Sequence, residues 1–368
     1  MSAAASPAPS SKAPVLEVSH LTKHFPVKGG VFGRKGGSVQ AVTDVTFSVA
    51  PGETLAIVGE SGCGKSTTGR ALLRLLEPDS GTVKLDGEDI TALSPSRLQA
   101  ARRQMQMVFQ DPFGSLNPRM NVRETLMEPI LLHGVATGAA AEKRVSDLLK
   151  TVGLNEFHAE RFPHEFSGGQ RQRICIARAL STRPRLIVCD EPVSALDVSV
   201  QAQIVNLLQD LQRQFGMAYV FISHDLAVVR HIARRVAVMY LGRVVEMADA
   251  AEIFATPRHP YTRALIAAAP KPVPGATLGR EEIKGDAPSA LRPPSGCAFH
   301  PRCPLAQDRC RTERPELRQV GGAMTACHFA ETVATMDAPA ETERPATLLR
   351  RLDVLAKARA AAAATPAA

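Results

Sequence analysis

Apolar residues change their spacing along the chain in a way that predicts both strands and helices. In residues 39–49 the apolar positions show little helical period, which favours strands of a small antiparallel sheet. Residues 54–58 form an apolar run of the length expected for a buried strand. Residues 142–152 carry apolar side chains at helical spacing and end at Gly153, and glycine commonly follows the last turn of a helix. The alternation predicts a mixed α/β fold.

Composition divides the chain into four segments. Residues 1–14 form an Ala/Ser/Pro-rich head that we expect to be disordered, and residues 15–270 form the long mixed α/β region. Residues 271–330 form a Pro- and Cys-rich extension, and residues 331–368 form an Ala/Pro-rich tail. Within the α/β region, residues 111–182 are expected to form a helical insertion. A short leucine stripe in the tail is assigned no function, since Ala and Pro flank it.

Length, composition and charge narrow the class of protein. The 368 residues, 45% of them hydrophobic, suit an enzyme-sized protein with a real core. No stretch approaches the roughly 18 apolar residues of a membrane-spanning helix, so the chain is not expected to form a pore. The head lacks the features of a secretory signal, which favours the cytoplasm. The net charge of +8 is spread along the chain and is only a weak indicator of an anionic partner.

The strongest local motif is GxxxxGK[ST] at residues 59–66, between a predicted strand and a predicted helix. In this setting the glycines let backbone N–H groups surround phosphates, and the helix N-terminus favours the anion. Lys65 would then reach the β- and γ-phosphates, and the Ser66 hydroxyl would bind Mg²⁺. A chance glycine-rich turn is the alternative, and the strand–loop–helix context argues against it. The residues predicted to contact the nucleotide here are Gly59, Ser61, Gly62, Cys63, Gly64, Lys65, Ser66 and Thr67.

Two acids follow a second short apolar strand. Residues 186–190 form that strand, so Asp190 and Glu191 would lie at its carboxyl end beside the phosphate loop. Asp190 could hold the metal, directly or through water. Glu191 would polarise or deprotonate the water that attacks the γ-phosphate. Alone, such a pair is more often a helix cap or a solvated turn, but beside a phosphate loop the catalytic interpretation is favoured.

A glycine pair begins another predicted helix. Ser167 and Gln170 have the spacing of a capping box, so a well-capped helix start is the simplest structural interpretation. That interpretation leaves Gly168 and Gly169 unexplained, because each glycine costs a helix about 1 kcal/mol relative to alanine. Close approach of the backbone to a ligand would explain them.

These residues resemble the signature LSGGQ of the ABC ATPase family, with Phe166 in place of the leucine. The resemblance covers roughly residues 15–270. It implies an α/β fold: a P-loop NTPase core of ABC type with an antiparallel β subdomain and a helical insertion, followed here by a small Cys-rich C-terminal extension. It also implies ATP and Mg²⁺ as ligands. Since the family closes the signature of one subunit over ATP held by another, the working unit would be at least a dimer.

The remaining elements of that family occur in its usual order. Gln110 after a predicted strand resembles the Q-loop residue, which also reaches Mg²⁺, and Asp197 resembles the D-loop aspartate. His224 resembles the histidine that senses the γ-phosphate. Phe25 resembles the aromatic residue that stacks on adenine, although His24 beside it leaves this assignment open by one position. The resemblance therefore implies Lys65, Gln110, Glu191 and His224 as catalytic residues.

Two further segments resemble ATPase subunits of oligopeptide and dipeptide importers. They are residues 113–119 and residues 258–265, the second with the run RHPYTRAL. The resemblance implies that the substrate is a dipeptide, an oligopeptide or a related solute such as a nickel complex or glutathione. It implies as partners a second ATPase subunit that is a paralogue, two permeases and an extracytoplasmic solute-binding protein. The chain would then lie at the cytoplasmic face of the inner membrane, bound peripherally through the permeases.

Four cysteines cluster in the extension. Cys297, Cys303, Cys310 and Cys327 are separated by five, six and sixteen residues, which is not a zinc-finger spacing. Relatives with this arrangement are thought to hold an iron–sulfur cluster, and four thiolates suit either [4Fe–4S] or Zn²⁺. Four reduced thiols without a ligand are the alternative.

A non-transport ABC ATPase that acts on nucleic acid or ribosomes is the rival function, and the basic charge would tolerate it. The sequence shows no second cassette, no long coiled-coil insertion and no alternation of aromatic and basic residues. We therefore expect no nucleic-acid partner. A P-loop kinase or GTPase would leave residues 167–170 without a role.

Overall fold

The structure is a computed structural model, and it describes residues 13–27, 36–268 and 285–334. The strands are β1 (Leu16–Val27), β2 (Gly36–Val49), β3 (Thr54–Val58), β4 (Ser80–Leu85), β5 (Glu88–Asp89), β6 (Met105–Val108), β7 (Leu186–Asp190), β8 (Ala218–Ile222), β9 (Arg235–Tyr240), β10 (Arg243–Asp249), β11 (Arg318–Val320) and β12 (Ala323–Thr325).

The α-helices are α1 (Lys65–Leu72), α2 (Pro95–Arg102), α3 (Pro112–Ser115), α4 (Val122–Leu132), α5 (Gly138–Thr151), α6 (Gly168–Leu180), α7 (Val198–Phe215), α8 (Leu226–Ile232), α9 (Ala250–Ala255), α10 (Pro260–Ala268), α11 (Asp308–Thr312) and α12 (Ala330–Ala334). Short 3₁₀ helices occur at Ile90–Ala92, Glu156–Glu160, Pro163–Glu165 and His300–Arg302. The described part of the chain contains no helix that is both long and apolar enough to cross a membrane.

Two sheets organise the fold. One is antiparallel, with strand order β2-β1-β4-β5, and the other has the order β11-β12-β10-β9-β3-β8-β7-β6. In the larger sheet, β9, β3, β8, β7 and β6 are mutually parallel, so their carboxyl ends share one edge. In α/β sheets of this kind, ligands bind beyond the carboxyl ends of the strands. The predicted α/β class is confirmed, including the antiparallel sheet that contains residues 39–49.

The parallel strands are buried on both faces, as their continuous apolar sequences indicate. Along β7, Leu186 and Val188 face the core shared with the antiparallel sheet, whereas Ile187 and Cys189 face the core formed with the helical segment. This alternation follows from the two-residue period of a strand. Helices α3 to α6 all fall within the predicted insertion, residues 111–182, although its exact limits remain a prediction.

Helix limits differ modestly from those predicted. The helix expected over residues 142–152 is α5, which begins four residues earlier at Gly138 and is followed by Gly153 with φ of 74°. Only glycine adopts such a left-handed conformation at little cost, so this residue ends the helix as predicted.

The C-terminal extension adds strands to the main sheet. Strand β12 pairs with β10, with Thr325 opposite Glu246, and β11 pairs with β12. Phe299 and Ala323 pack in the same core as Val236, Val238 and Tyr240 of β9. The extension is therefore continuous with the ATPase-like sheet. The boundary predicted at residue 271 lies outside the described residues, as do most of the predicted head and the leucine stripe of the tail.

Candidate functional site

The loop between β3 and α1 follows a tight path that two glycines make possible. Gly59 has φ of 151°, and a Cβ there would lie 2.2 Å from the carbonyl oxygen of Met239. Gly64 has φ of 104°, and its Cβ would lie 2.0 Å from the carbonyl oxygen of Ala41. Side chains at these two positions would collide with backbone, so the loop can wrap closely only with glycine there.

Lys65 lies inside this loop. Its Nζ donates hydrogen bonds to the carbonyl oxygens of Gly59, at 2.8 Å, and Glu60, at 3.0 Å. The side chain is buried, so its charge is exposed to little screening by water. The loop thus holds one positive charge against the N-terminus of α1, where an anion is already favoured by the helix dipole.

Ser66 and Asp190 meet at the same edge. The Ser66 hydroxyl donates to Asp190 Oδ1 at 2.7 Å, joining α1 to the end of β7. Burial raises the pKa of the Asp190 carboxyl, and the hydrogen bond from Ser66 and the charge of Arg70 partly offset this. A hydroxyl beside a carboxylate is an oxygen donor set that fits Mg²⁺.

Two predicted catalytic side chains, those of Gln110 and His224, converge on one carboxylate oxygen of a third, Glu191. Gln110 Nε2 donates to Glu191 Oε2 at 3.0 Å, and His224 Nδ1 lies 3.2 Å from the same oxygen. These residues follow the neighbouring strands β6, β7 and β8, so the parallel sheet brings them together. Glu191 has φ of 45°, a strained conformation for a non-glycine residue that is often found at functional sites.

These groups border one open cavity of about 570 Å³, within the range of small-molecule sites. Its lining comprises Phe25, Val39, Ala41, Ser61, Gly62, Gly64, Lys65, Ser66, Thr67, Gln110, Glu191, His224 and Ala290. Phe25 borders the cavity, whereas His24 Nε2 lies 3.0 Å from the Thr43 hydroxyl. The apolar wall residues were missed, because small aliphatic side chains carry no motif.

Other predicted residues lie away from this cavity. Gly59 and Cys63 support the loop from inside, and burial raises the pKa of the Cys63 thiol. Residues 167–170 and Asp197 do not line it either. A single chain therefore does not bring the signature motif to its own phosphate loop.

The signature segment begins α6 with the predicted capping box. The Gln170 N–H donates to Ser167 Oγ at 3.4 Å, and the Ser167 N–H donates to Gln170 Oε1 at 3.0 Å. Packing within the chain also explains why residue 169 is glycine, because a Cβ there would lie 2.5 Å from Val200 Cγ1. Close packing of α6 against α7 therefore accounts for one of the two glycines without a ligand.

The four cysteines of the extension line one small pocket of about 10 Å³, together with His259, Pro260, Phe299, His300, Leu305, His328 and Phe329. Burial raises the pKa of Cys303 to about 11 and that of Cys327 to about 12. Among the described residues, no group of three or more His, Cys, Asp or Glu side chains could hold a metal ion. The predicted iron–sulfur cluster or zinc ion is therefore not supported.

Known proteins match this chain over most of its length. Residues 42–194 match the family model for the ABC transporter, and residues 245–310 match that for the oligopeptide/dipeptide transporter, C-terminal region. The probable peptide ABC transporter ATP-binding protein y4tS of Sinorhizobium fredii is 55% identical over 321 residues, covering 87% of this chain and 91% of that protein. The chain belongs to the ABC transporter ATP-binding protein family.

Other ABC proteins are also similar to this chain. The oligopeptide transport ATP-binding protein AppF of Bacillus subtilis is 50% identical over 319 residues, covering 86% of this chain and 97% of that protein. A dimeric ATP-binding cassette in a post-hydrolysis state bound to ADP and Pi is 30% identical, with a TM-score of 0.57, and covers 64% of this chain and 98% of that chain. The ABC-type fold predicted from the motifs is confirmed, and as a family member this chain is an ATPase.

Proposed function

We propose that this chain is the ATP-hydrolysing subunit that energises a membrane importer of dipeptides, oligopeptides or a related small solute. The convergence of Gln110, Glu191 and His224 at the edge of the phosphate loop carries the ATPase half of this proposal. The peptide half is supported by relatives described as peptide transport ATP-binding proteins and by the match of residues 245–310 to a peptide-transporter C-terminal region. Nickel complexes and glutathione remain alternative solutes.

ATP would occupy the cavity with its phosphates in the loop of residues 59–66. Lys65 would exchange its bonds to backbone carbonyls for contacts to the β- and γ-phosphates, and Phe25 at the cavity wall would stack on adenine. Ser66, Asp190 and Gln110 would hold Mg²⁺, which neutralises charge on the β- and γ-phosphates when bound.

Hydrolysis requires a base next to the γ-phosphate. Glu191 would accept a proton from the attacking water as its oxygen bonds to the γ-phosphorus and the bond to the leaving ADP oxygen breaks. Gln110 and His224 contact the carboxylate oxygen of Glu191 and would orient it toward that water. Positioning and charge stabilisation would supply most of the rate enhancement.

A second ATPase subunit would complete the site. Residues 167–170 and Asp197 do not line the cavity of their own chain, which fits their use over ATP held by a partner. We propose that the partner is a paralogue. Closure of the pair on ATP and reopening after hydrolysis would drive the transport cycle.

Two permeases and an extracytoplasmic binding protein would complete the importer, with this chain at the cytoplasmic face of the inner membrane. The segment after Gln110 exposes Phe113, Leu132 and Phe157, whose exposed fractions are 63%, 61% and 59%. Exposed large apolar side chains suit a protein interface. We propose that the permeases dock there. Action on nucleic acid or ribosomes is not favoured, because the relatives described above are transport proteins.

Co-purification tests the proposal. The tagged chain would be isolated from mildly solubilised native membranes, and its partners would be identified by mass spectrometry. Recovery of two permeases and a second ATPase is the expected result. Recovery of ribosomal proteins or nucleic acid without any membrane protein would overturn the transport function and leave the ATPase assignment intact.

A further inference from the structure

Arg302 of the C-terminal extension contacts Glu60 of the phosphate loop. Arg302 donates two hydrogen bonds to the Glu60 carboxylate, one from Nη1 at 2.8 Å and one from Nη2 at 3.0 Å. The backbone N–H of Glu60 donates to the Tyr261 hydroxyl oxygen at 2.8 Å. These partners lie 242 and 201 residues away along the chain, so only the fold brings them together.

Glu60 is also tied to the lysine of the loop. Its carbonyl oxygen accepts a hydrogen bond from Lys65 Nζ at 3.0 Å. The carboxylate, the N–H and the carbonyl of this one residue are therefore all engaged, by Arg302 of the extension, by Tyr261 of α10 and by the phosphate-binding Lys65 respectively. A displacement of Glu60 would move the oxygen that holds Lys65.

The ion pair between Arg302 and Glu60 is partly buried and held in one geometry. The Arg302 side chain is only 7% exposed and that of Glu60 is 26% exposed, so water screens this ion pair weakly. Two parallel N–H···O bonds fix the carboxylate in one orientation. The hydrogen bond to the Glu60 carboxylate raises the pKa of Arg302 and outweighs burial, which lowers it, so the guanidinium stays charged.

An aromatic cluster holds Arg302 and Tyr261 in place. The Tyr240 ring packs against the rings of Tyr261 and Phe299, with centroid distances of 4.7 Å and 5.3 Å, and the Arg302 guanidinium lies 6.0 Å from the Tyr240 centroid. Phe299 directly precedes the short 3₁₀ helix that carries Arg302. Because these rings are buried, the extension presents a rigid surface to the loop.

We infer that Arg302 and Tyr261 are positioning residues for ATP binding, acting through Glu60 to set the phosphate loop and Lys65. The inference rests on the proposed ATPase function. Neither residue lines the nucleotide cavity, so they contribute through the loop and not through contact with phosphate. The extension is then part of the nucleotide site, although it is remote from it in sequence.

The test measures nucleotide affinity of the full chain by calorimetry. Removal of one charge-assisted pair in Arg302→Gln should weaken ATP binding about 10-fold. Affinity for AMP should change by less than about 2-fold, because AMP lacks the phosphates that Lys65 contacts. Glu60→Gln should match Arg302→Gln, and the double variant should lose no more than either single variant. Arg302→Lys, which retains a charge, should recover part of the loss.

A matched control lies in the same extension. Arg318 makes a two-bond ion pair with Glu331, at 2.7 and 2.9 Å, on an exposed surface. Arg318→Gln should leave ATP affinity unchanged. If the Arg302→Gln variant does not fold, the ATP affinity of the Tyr261→Phe variant tests the inference instead. This substitution keeps the buried ring and removes only the hydroxyl that accepts a hydrogen bond from the Glu60 N–H.

Unchanged ATP affinity in the folded Arg302→Gln and Tyr261→Phe variants, with wild-type binding intact, would overturn this inference and leave the proposed function standing. An equal loss of ATP and AMP affinity would also overturn it, as that outcome indicates general damage to the cavity. Failure of the wild-type chain to bind ATP at all would refute the proposed function, and this inference with it.

Discussion

At the scale of single residues, Glu191 combines strain, partial burial and polar contacts. Its φ of 45° costs free energy that the surrounding fold must offset, and Gln110 and His224 both contact its Oε2. A strained carboxylate with two polar partners is held in one orientation. This suits a base that must meet a water molecule at a defined position.

Replacing Glu191 by Gln should therefore stop turnover and preserve binding. The amide keeps the shape and the hydrogen bonds but cannot take a proton, so we expect ATP hydrolysis to fall about 100-fold or more. ATP affinity should change little, because Lys65 and the loop are untouched. Phosphate release and nucleotide binding measure the two effects separately. Hydrolysis at the wild-type rate would show that another group is the base.

His259 supplies a pH dependence of folding. It is fully buried, and burial lowers its pKa to about 3, while the unfolded residue titrates near its usual 6.5. Below pH 6.5 His259 binds a proton in the unfolded state but not in the folded state. The stability of the folded state therefore falls as the pH drops toward 3. Between pH 7.5 and pH 5 this loss should be about 2 kcal/mol.

The variant His259→Asn isolates this effect. Asparagine retains an acceptor near the position of Nδ1, which accepts from the Tyr261 N–H at 3.1 Å, and it does not titrate. The difference in unfolding free energy between wild type and variant should shrink as the pH falls from 7.5 to 5. Glu246, whose pKa is raised by burial, responds to pH in the opposite sense, but it is common to both proteins. A constant difference across this range would refute the assignment.

At the scale of elements, the signature helix α6 serves two requirements at once. Its capping box is satisfied within the chain, and Gly169 lets α6 approach Val200 of α7. Helix packing at this distance excludes even a methyl group. The rigid placement of α6 against α7 would fix the direction in which residues 167–170 face a partner subunit.

Gly169→Ala should therefore destabilise the chain, since its Cβ would lie 2.5 Å from Val200 Cγ1. Overpacking of this kind costs about 1–3 kcal/mol. Adding Val200→Ala removes the colliding methyl groups and should restore much of the loss. Gly168→Ala is the matched control, because its Cβ would meet only Leu196 Cδ2 at 3.3 Å. Chemical denaturation of the four proteins checks this, and equal stability of the Gly169→Ala and Gly168→Ala variants would contradict it.

At the scale of the whole molecule, residues 167–170 do not line the cavity of their own chain, and we propose that they act on ATP held by a partner. The cavity side holds Lys65 and Glu191, while Ser167 lies elsewhere on the fold. Binding and turnover should therefore depend on different surfaces. A substitution in residues 167–170 should impair hydrolysis of the ATP bound by the partner subunit. It should leave ATP binding by the substituted chain unchanged.

Ser167→Asp tests this separation. Aspartate caps a helix about as well as serine, so α6 should remain intact, but its charge would repel the phosphates of a partner's ATP. ATP affinity of the isolated chain should be unchanged, and hydrolysis by the assembled complex should fall roughly 10-fold. Hydrolysis should fall less in the Ser167→Asn variant, because asparagine caps the helix without adding a charge. Equal loss in the two variants, or weakened binding by the isolated chain, would contradict the separation.

The sequence by itself determined the local chemistry. The strand–loop–helix motif of residues 59–66, the acids after β7 and the capping box of Ser167 were readable because each depends on neighbours a few residues away. The apolar strands at residues 54–58 and 186–190 were readable for the same reason, since their apolar runs are continuous. The ABC-type α/β fold followed from these motifs.

Only the tertiary structure decided what depends on distant parts of the chain. The convergence of Gln110 and His224 on Glu191, the apolar cavity wall and the contact of Arg302 with Glu60 join residues separated by up to 242 positions. The family resemblance grouped Gln110, Glu191 and His224 as catalytic residues, but periodicity and motifs do not give the contacts between distant residues. A side chain's partner is set by how the sheets and the extension pack. The cysteine cluster shows the same limit: the resemblance to relatives implied a metal site, whereas the described residues contain no group of three or more side chains placed to hold a metal ion.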